Sequence, residues 1–110
     1  VIVMSFILSS LSRNPDFGKL ESLLRPSGIL VIADVDQAYA RDHSRDYEVE
    51  IGGTTHAFNF RMVGPLEIQR SIAKIGLDLL SVDSIKKNIQ KKGARVPVDY
   101  SFVLQFRKPG

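Results

Sequence analysis

LLRPSGILVIAD, residues 23–34, decides the reading of this chain. It leaves an amphipathic segment through Pro26-Ser27-Gly28, continues as an apolar run over 28–33 and closes on the carboxylate of Asp34. A short apolar run containing Val and Ile, bounded by turn residues, is the pattern of a strand buried on both faces. A helix handed through a tight turn to such a strand is half of a βαβ unit, and that unit implies a parallel sheet. Ligands of open α/β sheets bind beyond the carboxyl ends of the strands, so Asp34 stands where a site is expected.

Upstream, residues 1–7 form a second charge-free run rich in β-branched side chains. Asn14-Pro15 is a helix-start signal, with Asn as the cap and Pro at the first helical position. Phe17, Leu20, Leu23 and Leu24 share one face of that helix, which Pro26 and Gly28 end. Residues 1–34 are therefore predicted to run strand, helix, strand, with the strands parallel.

Downstream the alternation breaks. Residues 36–44 are polar loop with a helical turn at 38–41. Residues 45–61 read as an inserted β-hairpin around Gly52-Gly53, because glycine accepts the positive φ that a two-residue turn needs. Folding there sets Ile51 against Thr54, Val49 against His56 and Tyr47 against Phe58, giving one apolar, aromatic face. A lone ribbon is barely stable, so that face is expected to pack on its own domain, cover a cleft or meet a second subunit.

Gly64-Pro65 opens another helix, with Leu66, Ile68, Ile72, Ala73 and Ile75 as its apolar side and Gly76 as its stop. Residues 77–85 and 100–107 read as two more strands. The stretch between them, KKNIQKKGARVPVD (86–99), is too polar for a core and reads as a basic connection.

The length of 110 residues allows one domain, and 44% hydrophobic with 25% charged residues is an ordinary globular composition. No apolar run reaches the roughly 18 residues of a membrane helix. The apolar start lacks the flanks of a signal peptide, and a strand is the better reading. The absence of cysteine excludes disulfides, thiolate nucleophiles and cysteine metal sites, and fits a cytoplasmic location. The chain opens inside a hydrophobic run without an initiator Met, so residues 1–110 are expected to be a single partial domain of something longer. Net charge is +3, but residues 34–50 carry a balance of −4 and residues 74–95 one of +4. Such polarity either steers a partner or marks solvated faces.

The order of these elements resembles the C-terminal half of a class I S-adenosylmethionine-dependent methyltransferase. Leu24-Arg25-Pro26-Ser27-Gly28-Ile29-Leu30 is similar to the Leu-(Arg/Lys)-Pro-Gly-Gly turn of that family, with Ser27 in the first glycine position. Residues 1–11 resemble the family's fourth strand and the segment after it, 64–76 its last helix, and 100–107 its seventh strand. The fold class implied is α/β, a Rossmann-like methyltransferase sheet of strands four to seven with the last strand antiparallel between the fifth and sixth. Two cofactor-binding elements of the family do not occur in this sequence, the Gly-x-Gly turn after the first strand and the acidic end of the second. Gly52-Gly53 is no substitute, because alternating strands flank it.

On the resemblance, Ser5 and Phe6 line the methionine end of S-adenosylmethionine in the complete protein, and Ser9, Ser10, Asp34 and Asp36 face the substrate. Each has a structural alternative: strand-end packing for Ser5 and Phe6, loop polarity for the serines, and a turn or cap acceptor for the aspartates. His56 is expected to be packed, and with His43 it lacks the spacing of a metal site. Arg61 and Arg70 are candidates for an acidic substrate group. Lys86, Lys87, Lys91, Lys92 and Arg95 could contact phosphates, but no aromatics interleave them and a solvated loop is the simpler reading. The reading is a substrate-side portion of a methyltransferase, inactive alone, with a small-molecule substrate favoured over nucleic acid. The alternative is a non-catalytic binding or dimerisation module whose exposed strand pairs with a partner. A homo-oligomer or a missing N-terminal half is the expected partner.

Overall fold

The computed structural model describes residues 1–11, 13–44, 46–59 and 63–110, the side chains of 10, 43, 44, 46–49 and 57–59 excepted. Strand β1 (Ile2–Ser5) passes through a 3-10 turn (Leu8–Ser10) to helix α1 (Phe17–Leu23) and strand β2 (Ile29–Val35). Helix α2 (Gln37–Tyr39) continues as a wide turn, Ala40–Ser44, into β3 (Asp46–Ile51) and β4 (Thr54–Asn59). Helix α3 (Pro65–Ala73), β5 (Asp78–Lys91) and β6 (Ala94–Arg107) complete the chain.

The main sheet has the order β1-β2-β6-β5. β1 and β2 are parallel, while β6 runs antiparallel to both β2 and β5, so β1, β2 and β5 share one direction. The chain is mixed α/β with most of its strand pairs antiparallel.

Register explains the core. Leu30, Ile32 and Asp34 of β2 lie opposite Phe106, Leu104 and Phe102 of β6, and all six are buried. Phe17 and Leu24 from α1 and Ile68 and Ile72 from α3 join the same cluster, so both helices cover one face. Ile29, Val31, Ala33 and Val35 point the other way and are only half-buried. β2 is thus fully buried on one face, not two. The helical faces are also narrower than their spacing suggests: Leu23 and Leu66 are exposed, and α3 ends at Ala73.

Helix α1 starts later than Asn14-Pro15 suggests. Its cap is Asp16, whose Oδ1 accepts the Gly18 N–H at 3.0 Å. At the other end the Lys108 ammonium donates to the carbonyls of Glu21 and Leu24 (3.2 and 3.1 Å) and pairs with the Glu21 carboxylate. A cation there satisfies free carbonyls and suits the negative end of the helix dipole. Ser27 takes φ +66°, the left-handed region that glycine enters freely, while a Cβ on Gly28 would stand 2.7 Å from the Arg25 carbonyl oxygen. Backbone bonds Ser27 N–H to Lys108 O and Lys108 N–H to Gly28 O, both 2.9 Å, lock this turn to the end of β6.

The basic stretch 86–99 is no loop. β5 and β6 pair from Asp78–Arg107 to Lys91–Ala94 with two bulges on the way, and Lys92 and Gly93 (φ +50° and +79°) make the two-residue turn. Polar side chains suit this ribbon because its backbone groups bond across the pair and need no core. Pro97 is tolerated there because the second edge of β6 is free beyond the reach of β2. The pairs of the β3–β4 hairpin are Ile51–Thr54, Val49–His56 and Tyr47–Phe58, in a separate two-stranded sheet. His56 is exposed rather than packed, as are Ile51 and Thr54 beside it, since this end of the ribbon stands clear of the core.

Ser27→Gly should raise unfolding free energy by about 0.5–1 kcal/mol by relieving the left-handed serine. Gly28→Ala should lower it by about 1–3 kcal/mol through overpacking. Urea unfolding of the two variants checks both, and equal effects would contradict this geometry of the turn.

Candidate functional site

The carboxyl ends of β1 and β2 lie side by side, with Ser5 opposite Ala33. Beyond Ser5 the chain bends sharply. Phe6 adopts φ +55° while its N–H bonds the Ala33 carbonyl at 2.8 Å, a conformation costly for an aromatic residue. The residue stays 40% exposed.

Asp34 is 0% exposed. Its Oδ2 accepts the Ser9 N–H at 3.1 Å and its Oδ1 accepts the Val35 N–H at 2.8 Å. The carboxylate thus ties the end of β2 to the 3-10 turn after β1. Ser9 is itself buried, and among the described residues its Oγ has no hydrogen-bond partner. Ser10 ends the same turn, and its side chain lies outside the described residues.

Asp36 is half-buried. Its N–H donates to the Tyr100 carbonyl at 2.8 Å, and its Oδ1 caps α2 through the Tyr39 N–H at 3.0 Å. It also walls a groove of about 430 Å³ with Tyr39, Asp42, Lys86, Val98 and Asp99. Lys86 bonds Asp99 at 2.9 Å, and this contact holds the Asp99 carboxyl below its ordinary pKa. A second groove, of about 410 Å³, lies at the opposite end of β1 between Val1 and Pro26, away from these groups.

An aromatic corner adjoins the first groove. The rings of Tyr39 and Tyr100 meet edge to face at 4.9 Å, and Phe6 lies 6.2 Å from Tyr100. The Lys87 ammonium sits 5.1 Å from the Tyr100 ring centre and 5.9 Å from that of Tyr39. The pairing of β5 with β6 explains how Tyr100 arrives there. Ile85 pairs with Ser101 and Lys86 with Asp99, leaving Tyr100 as the extra residue of a β-bulge. Bulges re-aim a side chain, and this one turns Tyr100 toward Phe6 and Tyr39.

Ser5, Phe6 and Asp36 thus gather around this end of the sheet, while Asp34 lies sealed beneath it. The sequence does not single out Tyr39 or Tyr100, and it marks Lys87 only as one of a basic cluster, because the three come from segments that converge only through the ribbon and its bulge. Arg70 is exposed on α3, and Arg61 lies outside the described residues. Among the described residues no group of three potential metal ligands occurs, and no helix is long and apolar enough to cross a membrane.

Comparison with known proteins gives a fold. A crystal structure of a SAM-dependent methyltransferase from Methanosarcina mazei is similar over 97% of this chain, with a TM-score of 0.61 and 14% identity. The likeness is one of fold. The chain spans 57% of the length of that structure. No family model and no curated protein sequence matches the chain.

Asp34→Asn leaves one of two backbone donors, the Ser9 or the Val35 N–H, without its acceptor, and should cost about 1–3 kcal/mol in urea unfolding. Ser9→Ala removes an unpartnered hydroxyl and should leave stability unchanged or slightly higher. A neutral Asp34→Asn would contradict the tying role.

Proposed function

We propose that this chain is the substrate-side, C-terminal portion of a SAM-dependent methyltransferase, its strands β1, β2, β5 and β6 standing as the fourth to seventh of that sheet. The observation that carries the reading is the sheet order, in which the last strand inserts antiparallel between two parallel ones. The fold likeness to a methyltransferase supports it.

S-adenosylmethionine fits this chain only in part. Ser5 and Phe6 form one wall at the carboxyl end of β1, and the buried Ser9 Oγ nearby in sequence has no hydrogen-bond partner among the described residues. Among the described residues no Gly-x-Gly turn leads from a strand into a helix: Gly52, Gly53 and Gly93 close hairpins, Gly28 and Gly76 follow helices, and Gly64 is a lone N-cap of α3. The cofactor's main cradle is therefore assigned to residues outside these 110, and the methyl-transfer step is not this chain's to perform alone. When bound, the cofactor supplies an electrophilic methyl group. The chain's own part is to hold Phe6 and Tyr100 at the crevice and to close its floor with Asp34.

Asp36 and the groove beside it form the acceptor side. A volume near 430 Å³ suits a small molecule. Two basic residues of the ribbon are already engaged, Lys86 by Asp99 and Lys87 by the tyrosines, which weakens the case for nucleic acid. The open edge of β1, where Val3 is 58% exposed, is where a missing half or a second subunit would pair. A cytoplasmic location belongs to the same reading. The exposed strand edges also favour a second reading, a non-catalytic module that pairs with a partner.

Calorimetry with S-adenosylmethionine separates them. The 110 residues alone should bind no tighter than about 100 μM, whereas the intact reading frame should bind at low micromolar level. In the intact protein Phe6→Ala should weaken binding about tenfold. Tight binding by the 110 residues would refute the incomplete site, and an intact frame that ignores the cofactor would favour the binding module.

A further inference from the structure

β5 is the outer strand of the sheet. β6 takes one of its edges, and among the described residues nothing pairs with the other over Asp78–Lys91. Leu79, Leu80, Val82 and Ile85 are 45%, 47%, 53% and 49% exposed along it. A long apolar edge is a template for another strand unless charges guard it. Here the charges are sorted by sign: Asp78 and Asp83 in the first half, Lys86, Lys87 and Lys91 in the second.

Such a strand is complementary to itself when antiparallel. Closed pairing of two copies requires a two-fold axis, and residues opposed in an antiparallel pair point to the same face. The axis must therefore pass through a residue rather than between two. Centred on Asp83 or on Lys86, the strand would set like charges against each other. Centred on Ser84, it would set Asp83 against the partner's Ile85. Only centring on Ile85 puts Ile85 against the partner's Ile85 and Asp83 against the partner's Lys87, twice by symmetry, a pairing in which the Lys87 ammonium exchanges its place over the Tyr100 ring for a carboxylate.

The bulge completes the match. Leu79 pairs with Phe106 and Ser81 with Gln105, so Leu80 is the extra residue. Counting it so, Asp78 falls against the partner's Lys91 at the far ends of the strand. The same bulge brings Asp78 onto one face with Ser81, Asp83, Ile85, Lys87 and Lys91. Without it Asp78 would stand on the opposite face.

We propose that β5 pairs antiparallel with β5 of a second copy of this chain, about a two-fold axis at Ile85, joining two four-stranded sheets into one of eight strands. This is independent of the methyltransferase reading and differs from pairing through β1.

Sedimentation equilibrium tests it on the chain as it stands. The wild type should be a dimer at high micromolar concentration. Asp83→Lys, at an exposed position, should weaken the dimer at least about tenfold, and combining it with Lys87→Asp should restore most of the loss. Because the chain has no cysteine, Ile85→Cys should also give a disulfide-linked dimer on mild oxidation, while Leu66→Cys on α3 should not. A monomeric wild type, or a dimer that the charge reversal leaves unchanged, or no rescue by the double variant, would overturn the proposal.

Discussion

The structure depends on β2 being paired on both edges at once. Ile29–Val35 bonds β6 in antiparallel fashion along its whole length and β1 in parallel over Leu30–Ala33, so the middle of this apolar strand is paired on both sides. That pairing positions Leu30 and Ile32 under the two helices and Asp34 at the end of the row. Its start is fixed by the turn at Ser27 and Gly28, which Lys108 binds to both the end of β6 and the last carbonyls of α1. Its end is fixed by Asp34, whose carboxylate holds the turn containing Ser9 and so steadies the segment on which Phe6 bends.

The core is one-sided. Both helices lie on the face of Leu30, Ile32, Leu104 and Phe106, and the opposite face carries Val31, Ala33 and Val103 half-exposed. The sheet ends in two open edges, β1 and β5. These features leave both sheet edges and part of one sheet face open among the described residues. They also concentrate chemistry at the carboxyl ends of β1 and β2, where Phe6, Tyr39, Tyr100 and Asp36 meet beside a groove.

Much of this was legible in residues 23–34. A turn-bounded apolar run after an amphipathic helix gave the parallel β1–β2 pair, and Gly52-Gly53 gave the hairpin register residue by residue. The ribbon is not legible in the sequence, because polar composition reads as loop, whereas a two-stranded ribbon satisfies its backbone without burying side chains. Its signal was Lys92-Gly93, a turn weaker in pattern than a glycine pair. The strand end predicts Asp34 facing a crevice; its carboxylate instead lies in the interior on two backbone N–H groups, which spacing alone does not reveal. The aromatic corner depends on a bulge that shifts Tyr100 by one residue, and no periodicity in the sequence announces it.

The central claim is that the carboxyl ends of β1 and β2 form one wall of a shared cofactor and acceptor crevice. Amide hydrogen exchange on the intact reading frame, with and without S-adenosylhomocysteine, tests it most directly. Protection should appear over residues 5–11 and around Asp36 and Tyr100, and be absent at the ribbon tip near Lys92. Unchanged exchange over residues 5–11, or protection confined to β5, would contradict the account.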